Sequence, residues 1–120
     1  MKLFNHTPHA VDIYKDGRLF CSFPPSAPVI RLVDDGLLEQ TTEEFDGITV
    51  ISPPNYVETN YTPPFRTRVI VSAMVAEFLV ARPALAEQFY GIYAPDTSPS
   101  GAVRNGQGQI IGTTRLVKYK

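Results

Sequence analysis

A single cysteine, Cys21, is all the sulfur-ligand chemistry this chain carries, which excludes an internal disulfide and any metal site built from several thiolates. The residue lies among Leu19, Phe20 and Phe23, so simple burial in a reducing compartment is the expectation. Charge of one sign is equally scarce. A formal net charge of −1 on 120 residues supplies no global field for polyanions, which argues against sequence-independent binding to DNA or RNA. Long apolar runs are missing as well: none approaches the roughly 18 residues of a membrane span. The start, Met1-Lys2-Leu3-Phe4-Asn5-His6, turns polar too early to form the core of a signal peptide, so the expected location is the cytoplasm, without membrane contact. Nucleophile elbows, phosphate loops, dinucleotide fingerprints and zinc patterns are absent, and no internal repeat, low-complexity tail or domain linker interrupts the chain.

What is present fits one ordinary globular unit. An apolar fraction of 43% with 19% charged residues, over a length that buries one core, points to a single domain spanning residues 1–120, with 37–67 as a long, proline-rich insertion. Asp16-Gly17 and Asn105-Gly106 each separate short apolar-alternating runs and predict two β-hairpins with type I′ turns. Val29 to Val33 and Ile48 to Ile51 suggest further strands. Gln109 to Tyr119 reads as one long closing strand whose Arg115 and Lys118 lie at its water-facing edge. Between Arg68 and Tyr93 the pattern is a strand (Val69-Ile70-Val71), a helix capped by Ser72 and running through Ala73–Ala81 until Pro83, and a second strand (Phe89 to Tyr93) parallel to the first. The fold class expected is α+β: a mixed, mostly antiparallel sheet with two hairpins and one strand–helix–strand unit that carries the principal helix.

Ligands gather beyond the carboxyl ends of parallel strands, so two segments are candidate sites. One is Ser72 with the amides that follow it, a helix start suited to phosphate or carboxylate. The other is the loop Asp96-Thr97-Ser98, which offers a carboxylate and hydroxyls between Pro95 and Pro99. Each has a plainer reading, a simple cap and a self-bonded turn respectively. Arg104, and with less force Arg115, would present a guanidinium fork to an anion, with the solvated arginine as the alternative. In the first turn, Thr7 and His9 are candidate ligand contacts. His6 and His9 together make a weak metal signal, because no further ligands accompany them. Tyr56 and Tyr61, with Phe65, would stack on a base, form a subunit contact, or fold back over the core.

Asn5-His6-Thr7-Pro8-His9, Val71-Ser72-Ala73-Met74-Val75-Ala76, Tyr93-Ala94-Pro95-Asp96-Thr97-Ser98-Pro99 and Val103 to Gly112 together resemble a family of short proteins of phages and bacterial genomes. The resemblance spans most of the chain and leaves the proline-rich middle unmatched. It implies a phage or mobile-element setting in the host cytoplasm, where counter-defence proteins sequester nucleotide second messengers or bind host proteins. The leading expectation is therefore non-catalytic binding of a small phosphorylated ligand, a nucleotide, with no cofactor and no metal, in a homo-oligomer. The first alternative is a module that docks a host or phage protein through Tyr56 to Phe65. The second is a small hydrolase or nucleotide-modifying enzyme using His9 and Asp96.

Overall fold

The computed structural model describes residues 2–36, 42–52 and 54–120. It is a mixed α+β structure dominated by strands. In chain order these are β1 (Leu3–Asn5), β2 (Val11–Lys15), β3 (Arg18–Phe23), β4 (Leu32–Asp34), β5 (Thr42–Phe45), β6 (Ile48–Ile51), β7 (Tyr56–Thr59) and β8 (Arg68–Ile70). Helices α1 (Ala73–Val80) and α2 (Pro83–Ala86) follow, then β9 (Gly91–Pro95), β10 (Ala102–Arg104), β11 (Ile110–Thr113) and β12 (Leu116–Lys118).

Two four-stranded sheets carry the fold, in the orders β1-β8-β9-β12 and β10-β11-β2-β3. In the first, β1, β8 and β9 run parallel and β12 returns antiparallel. Phe4, Val69 and Ile92 therefore share one row, and Asn5, Ile70 and Tyr93 the next. Parallel neighbours need a crossover, and α1 with α2 provides the one from β8 to β9. Helix α1 begins where it does because Ser72 is extended (φ −64°, ψ 155°) and its hydroxyl accepts the Val75 amide at 3.3 Å. It stops because Pro83 forces Arg82 into an extended conformation, and the same proline then opens α2. Val75, Ala76 and Leu79 fall on one face and pack with Val69, Val71, Ile92, Ala94 and Phe89 in the main core.

Turn chemistry sets the ribbons. Asp16 (φ 52°) and Gly17 (φ 75°) close β2 onto β3, and Asp46 (φ 49°) and Gly47 (φ 80°) close β5 onto β6 in the same way. The turn between β10 and β11 is longer than Asn105-Gly106 suggests. There the Asn105 carboxamide accepts the amides of Gln107 (2.9 Å) and Gln109 (3.1 Å), and the positive φ falls on Gly108. The stretch 37–67 is also more structured than an irregular insertion. It includes the β5–β6 hairpin and β7, which pairs with β4, while residues 37–41 and 53 lie outside the described residues.

The closing strand is two strands. After β11, in the second sheet, the chain breaks at Thr114-Arg115 and continues as β12 in the first sheet. The Thr113 hydroxyl, 1% exposed, lies 2.8 Å from the Asp96 carbonyl, 2.8 Å from that of Arg115 and 3.1 Å from that of Gly101, so its one proton is shared among the strand ends that meet there. Beside it, Gly112 lies so close to β2 that an added Cβ would sit 2.7 Å from the Asp12 carbonyl and 2.6 Å from the Tyr14 ring. Gly112→Ala is therefore expected to destabilise by about 1–3 kcal/mol through overpacking. Gly106→Ala, where nothing lies within 4 Å of the new Cβ, should stay within roughly 0.5 kcal/mol. Urea unfolding of the two variants against the parent checks both.

Candidate functional site

The three parallel strands end on the same side. His6 follows β1, Val71 and Ser72 follow β8, and Asp96 follows β9; bonds from His6 N to Ile70 O and from Val71 N to Tyr93 O, each 2.9 Å, carry the ladder to that edge. A cleft of about 350 Å³ opens there, walled by His6, Thr7, Arg31, Tyr56, Ser72 and Met74. Four of the residues singled out from sequence, His6, Thr7, Tyr56 and Ser72, thus meet in one place. The amides of Ala73 and Met74 have no partner among the described residues, and Ser72, Met74 and Val75 at the start of α1 line the cleft. Arg31 adds the charge, its guanidinium free of ion pairs among the described residues.

Arg31 is positioned by Asn60, whose carboxamide accepts the Arg31 amide at 2.7 Å and donates to the Val29 carbonyl at 2.9 Å, while the Asn60 amide donates to the Arg31 carbonyl at 3.0 Å. His6 is buried and its Nδ1 lies 2.9 Å from the Pro28 carbonyl. A carbonyl only accepts, so Nδ1 carries the proton and Nε2 is the acceptor of the neutral ring. The His6 ring also meets Tyr61, centroids 5.9 Å apart at 43°. Thr7 contributes less than its hydroxyl suggests. That hydroxyl lies 2.6 Å from Asn5 Oδ1 and 2.9 Å from the His9 carbonyl, inside the turn, and the His9 side chain is exposed.

The remaining sequence candidates sit elsewhere. Asp96, 8% exposed, does not wall this cleft. Its Oδ2 takes the Arg115 Nε–H at 2.6 Å and its Oδ1 takes the Ser98 amide at 2.9 Å, while Arg115 Nη2 donates to the Ser100 hydroxyl at 2.9 Å. Arg115 is thus exposed, as the closing strand led one to expect, and is an ion-pair partner of Asp96 as well. Gly101 lies against the Asp96 carboxylate so closely that any Cβ would displace it. Thr97 and Ser98 are exposed on this self-bonded loop. Arg104 donates to the Gly108 carbonyl at 2.6 Å and closes its own hairpin. Cys21 is a half-buried free thiol. Sequence patterns had no signal for Arg31 or Asn60, since what places them is a contact 29 residues long.

No family model matches this chain, and neither curated proteins nor solved structures give a match. Among the described residues no group of three or more His, Cys, Asp or Glu side chains is arranged to hold a metal, and no helix is long and apolar enough to cross a membrane.

Hydrogen bonding from the Ser98 side chain, then from Arg115 and the Ser98 amide, together with the positive charge of Arg115, holds the Asp96 carboxyl at about 2 against an ordinary 3.8, outweighing the opposite effect of burial. A folded value below the unfolded one means the carboxylate stabilises the fold above pH 3.8 and loses that contribution as pH falls through about 2. Asp96→Asn should therefore lower the urea midpoint at neutral pH, and the gap between parent and variant should close between pH 3.8 and about 2. Urea midpoints of both proteins across that range test the assignment; a gap independent of pH refutes it.

Proposed function

We propose that this protein binds a small phosphorylated ligand, a nucleotide, without turning it over, in the cleft between His6, Arg31 and the start of α1. The observation that carries this reading is the convergence, on one cleft at the carboxyl edge of parallel strands, of a helix start and a guanidinium that have no partner among the described residues. Backbone N–H groups and the positive end of a helix favour anions, and arginine adds a planar two-pronged donor. A volume of about 350 Å³ lies in the range of small-molecule sites, roughly 300–1,000 Å³. The hydrolytic alternative loses support from Asp96, because a carboxylate held at about 2 and bound to Arg115 is a weak base at neutral pH. The resemblance to phage proteins fits sequestration of a nucleotide signal in the host cytoplasm, a task that needs affinity and no chemistry.

Isothermal titration with ribose 5-phosphate tests the placement. The parent should bind, Arg31→Ala should weaken binding by about tenfold, the equivalent of about 1.4 kcal/mol, and Asp96→Asn and Arg104→Ala should leave it unchanged. Loss in the last two with Arg31→Ala silent would move the site to the Asp96 loop and overturn this reading.

A second reading, interaction with a protein or with another copy of the chain, has its own observation. In the β5–β6 hairpin Phe45 pairs with Ile48 and Glu43 with Val50, so Phe45, Ile48 and Val50 share a face, and they are 59%, 65% and 42% exposed. Adjacent apolar side chains open to water on a strand ribbon mark an interaction surface. The Tyr56 to Phe65 segment is less suited to that role, since Tyr56 sits in β7 and Tyr61 packs on the core. Under this reading Ile48→Lys shifts the mass measured by light scattering from an oligomer to a monomer while the far-ultraviolet dichroism stays the same; an unchanged mass removes the hairpin as the contact.

A further inference from the structure

His6 is the wall of two clefts. On its other side lies a second one of about 310 Å³, lined by Phe4, Tyr61, Pro63, Phe65 and Thr67 together with the loop at Ser26-Ala27. Aromatic and proline surfaces dominate it, and its polar groups are few. Thr67 Oγ1 is buried with no hydrogen-bond partner among the described residues. His6 Nε2, an acceptor in the tautomer that Pro28 imposes, is likewise unpaired among them. Phe65 is 79% exposed at its mouth, an unusual position for a large apolar ring unless something covers it.

We infer that this second cleft receives the nucleobase of a nucleotide whose phosphate lies at Arg31 and the start of α1, the ribose passing His6. The inference rests on the phosphate-binding reading above and specifies its ligand. Three features select a base over other occupants. Aromatic walls stack on any planar ring, since every base has a π-face. An aliphatic tail would leave the Thr67 hydroxyl and His6 Nε2 unpaired in a drier site, which is unfavourable, whereas the rim of a base carries both donors and acceptors. The size, near the lower limit of small-molecule sites, suits one heterocycle rather than a larger ring assembly. The two clefts share His6 as a lining residue, so a base in one and a phosphate in the other would belong to one ligand that passes this side chain.

The test is calorimetric titration of the full chain with ribose 5-phosphate, with the four common ribonucleosides and with their 5′-monophosphates. At least one monophosphate should bind about tenfold or more tightly than ribose 5-phosphate. Phe65→Ala and Thr67→Val should bring that ratio close to one while leaving ribose 5-phosphate affinity alone. Thr67→Val keeps the side-chain shape and removes an unpaired buried hydroxyl, so its melting temperature should equal or exceed the parent's, which separates lost recognition from lost folding. If all four monophosphates bind no better than ribose 5-phosphate, or if both variants keep the ratio, the base cleft is refuted and the phosphate site stands. If nucleosides bind and weaken in Thr67→Val while ribose 5-phosphate does not bind, the base cleft stands and the phosphate site falls. Absence of binding by all three classes overturns both.

Discussion

Two buried polar side chains hold the two sheets together, and the placement of everything at the carboxyl edge depends on them. Asn5, 1% exposed, ends β1 and donates from one carboxamide nitrogen to the carbonyls of His9 and Phe23, each at 2.8 Å, while its oxygen accepts the Thr7 amide at 2.9 Å. It therefore ties the first sheet to β3 of the second and shapes the His6–His9 turn at the same time. Thr113 does the corresponding task from the second sheet, reaching the chain just after β9 and just before β12. Buried polar groups are costly when unpaired, so each clamp permits one arrangement of its neighbours and disfavours the rest. Apolar packing alone, which is tolerant of sliding, would not fix three loop starts to a common edge.

The consequence is a division of labour among the polar loops. The Asp96 loop is bound to itself and to Arg115, and the close approach of Gly101 leaves no room for the carboxylate to swing outward. Its chemistry is internal: it closes the edge on the β9 side with a carboxylate whose charge Arg115 balances. On the β1 side the groups are free to act outward. Asn60 fixes the backbone of Arg31 and leaves the guanidinium without an ion pair among the described residues, and Ser72 satisfies Val75 but not Ala73 or Met74. Arg82 reinforces this side by stacking on Phe78, 3.6 Å from the ring centroid, and donating to the Phe78 and Tyr56 carbonyls, which links β7 to α1.

Local signals were legible in the sequence and long-range pairings were not. Asp16-Gly17 marks its turn because positive φ at both positions demands such residues, and Asp46-Gly47 carried the same signal between Phe45 and Ile48 without being read, masked by the polar run around it. Ser72 and Pro83 bound α1 for reasons of capping and ring sterics that act within a few residues. By contrast, Gln109 to Tyr119 holds no turn dipeptide, and nothing local shows that Thr113 draws the chain from one sheet to the other. The site divides in the same way. Thr7 and Ser72 meet because each lies just beyond a strand ending at the same edge, and Tyr56, at the start of β7, lines the same cleft from the β4–β7 ribbon. Asp96 and Arg104 seemed equally available only because their partners, Arg115 and the Gly108 carbonyl, are invisible without the fold.

A binding cleft in a chain of net charge −1 must work at short range. Screening limits exposed charges to about 8–10 Å at physiological salt, so under the proposed reading Arg31 and the start of α1 would act on an anion that has nearly arrived rather than draw it from a distance. Association would then be set by ordinary diffusion, and retention by how many groups engage at once. That places the weight of affinity on the shared wall. A ligand that reached only Arg31 and the helix amides would hold a few solvent-exposed hydrogen bonds, each weakened by competition with water. A ligand that also covered Phe65 and stacked near Tyr61 would add apolar burial that salt does not screen. His6 is suited to stand between the two because Pro28 fixes its tautomer and Tyr61 its ring, so neither half of the site has to reorganise it when the other half fills.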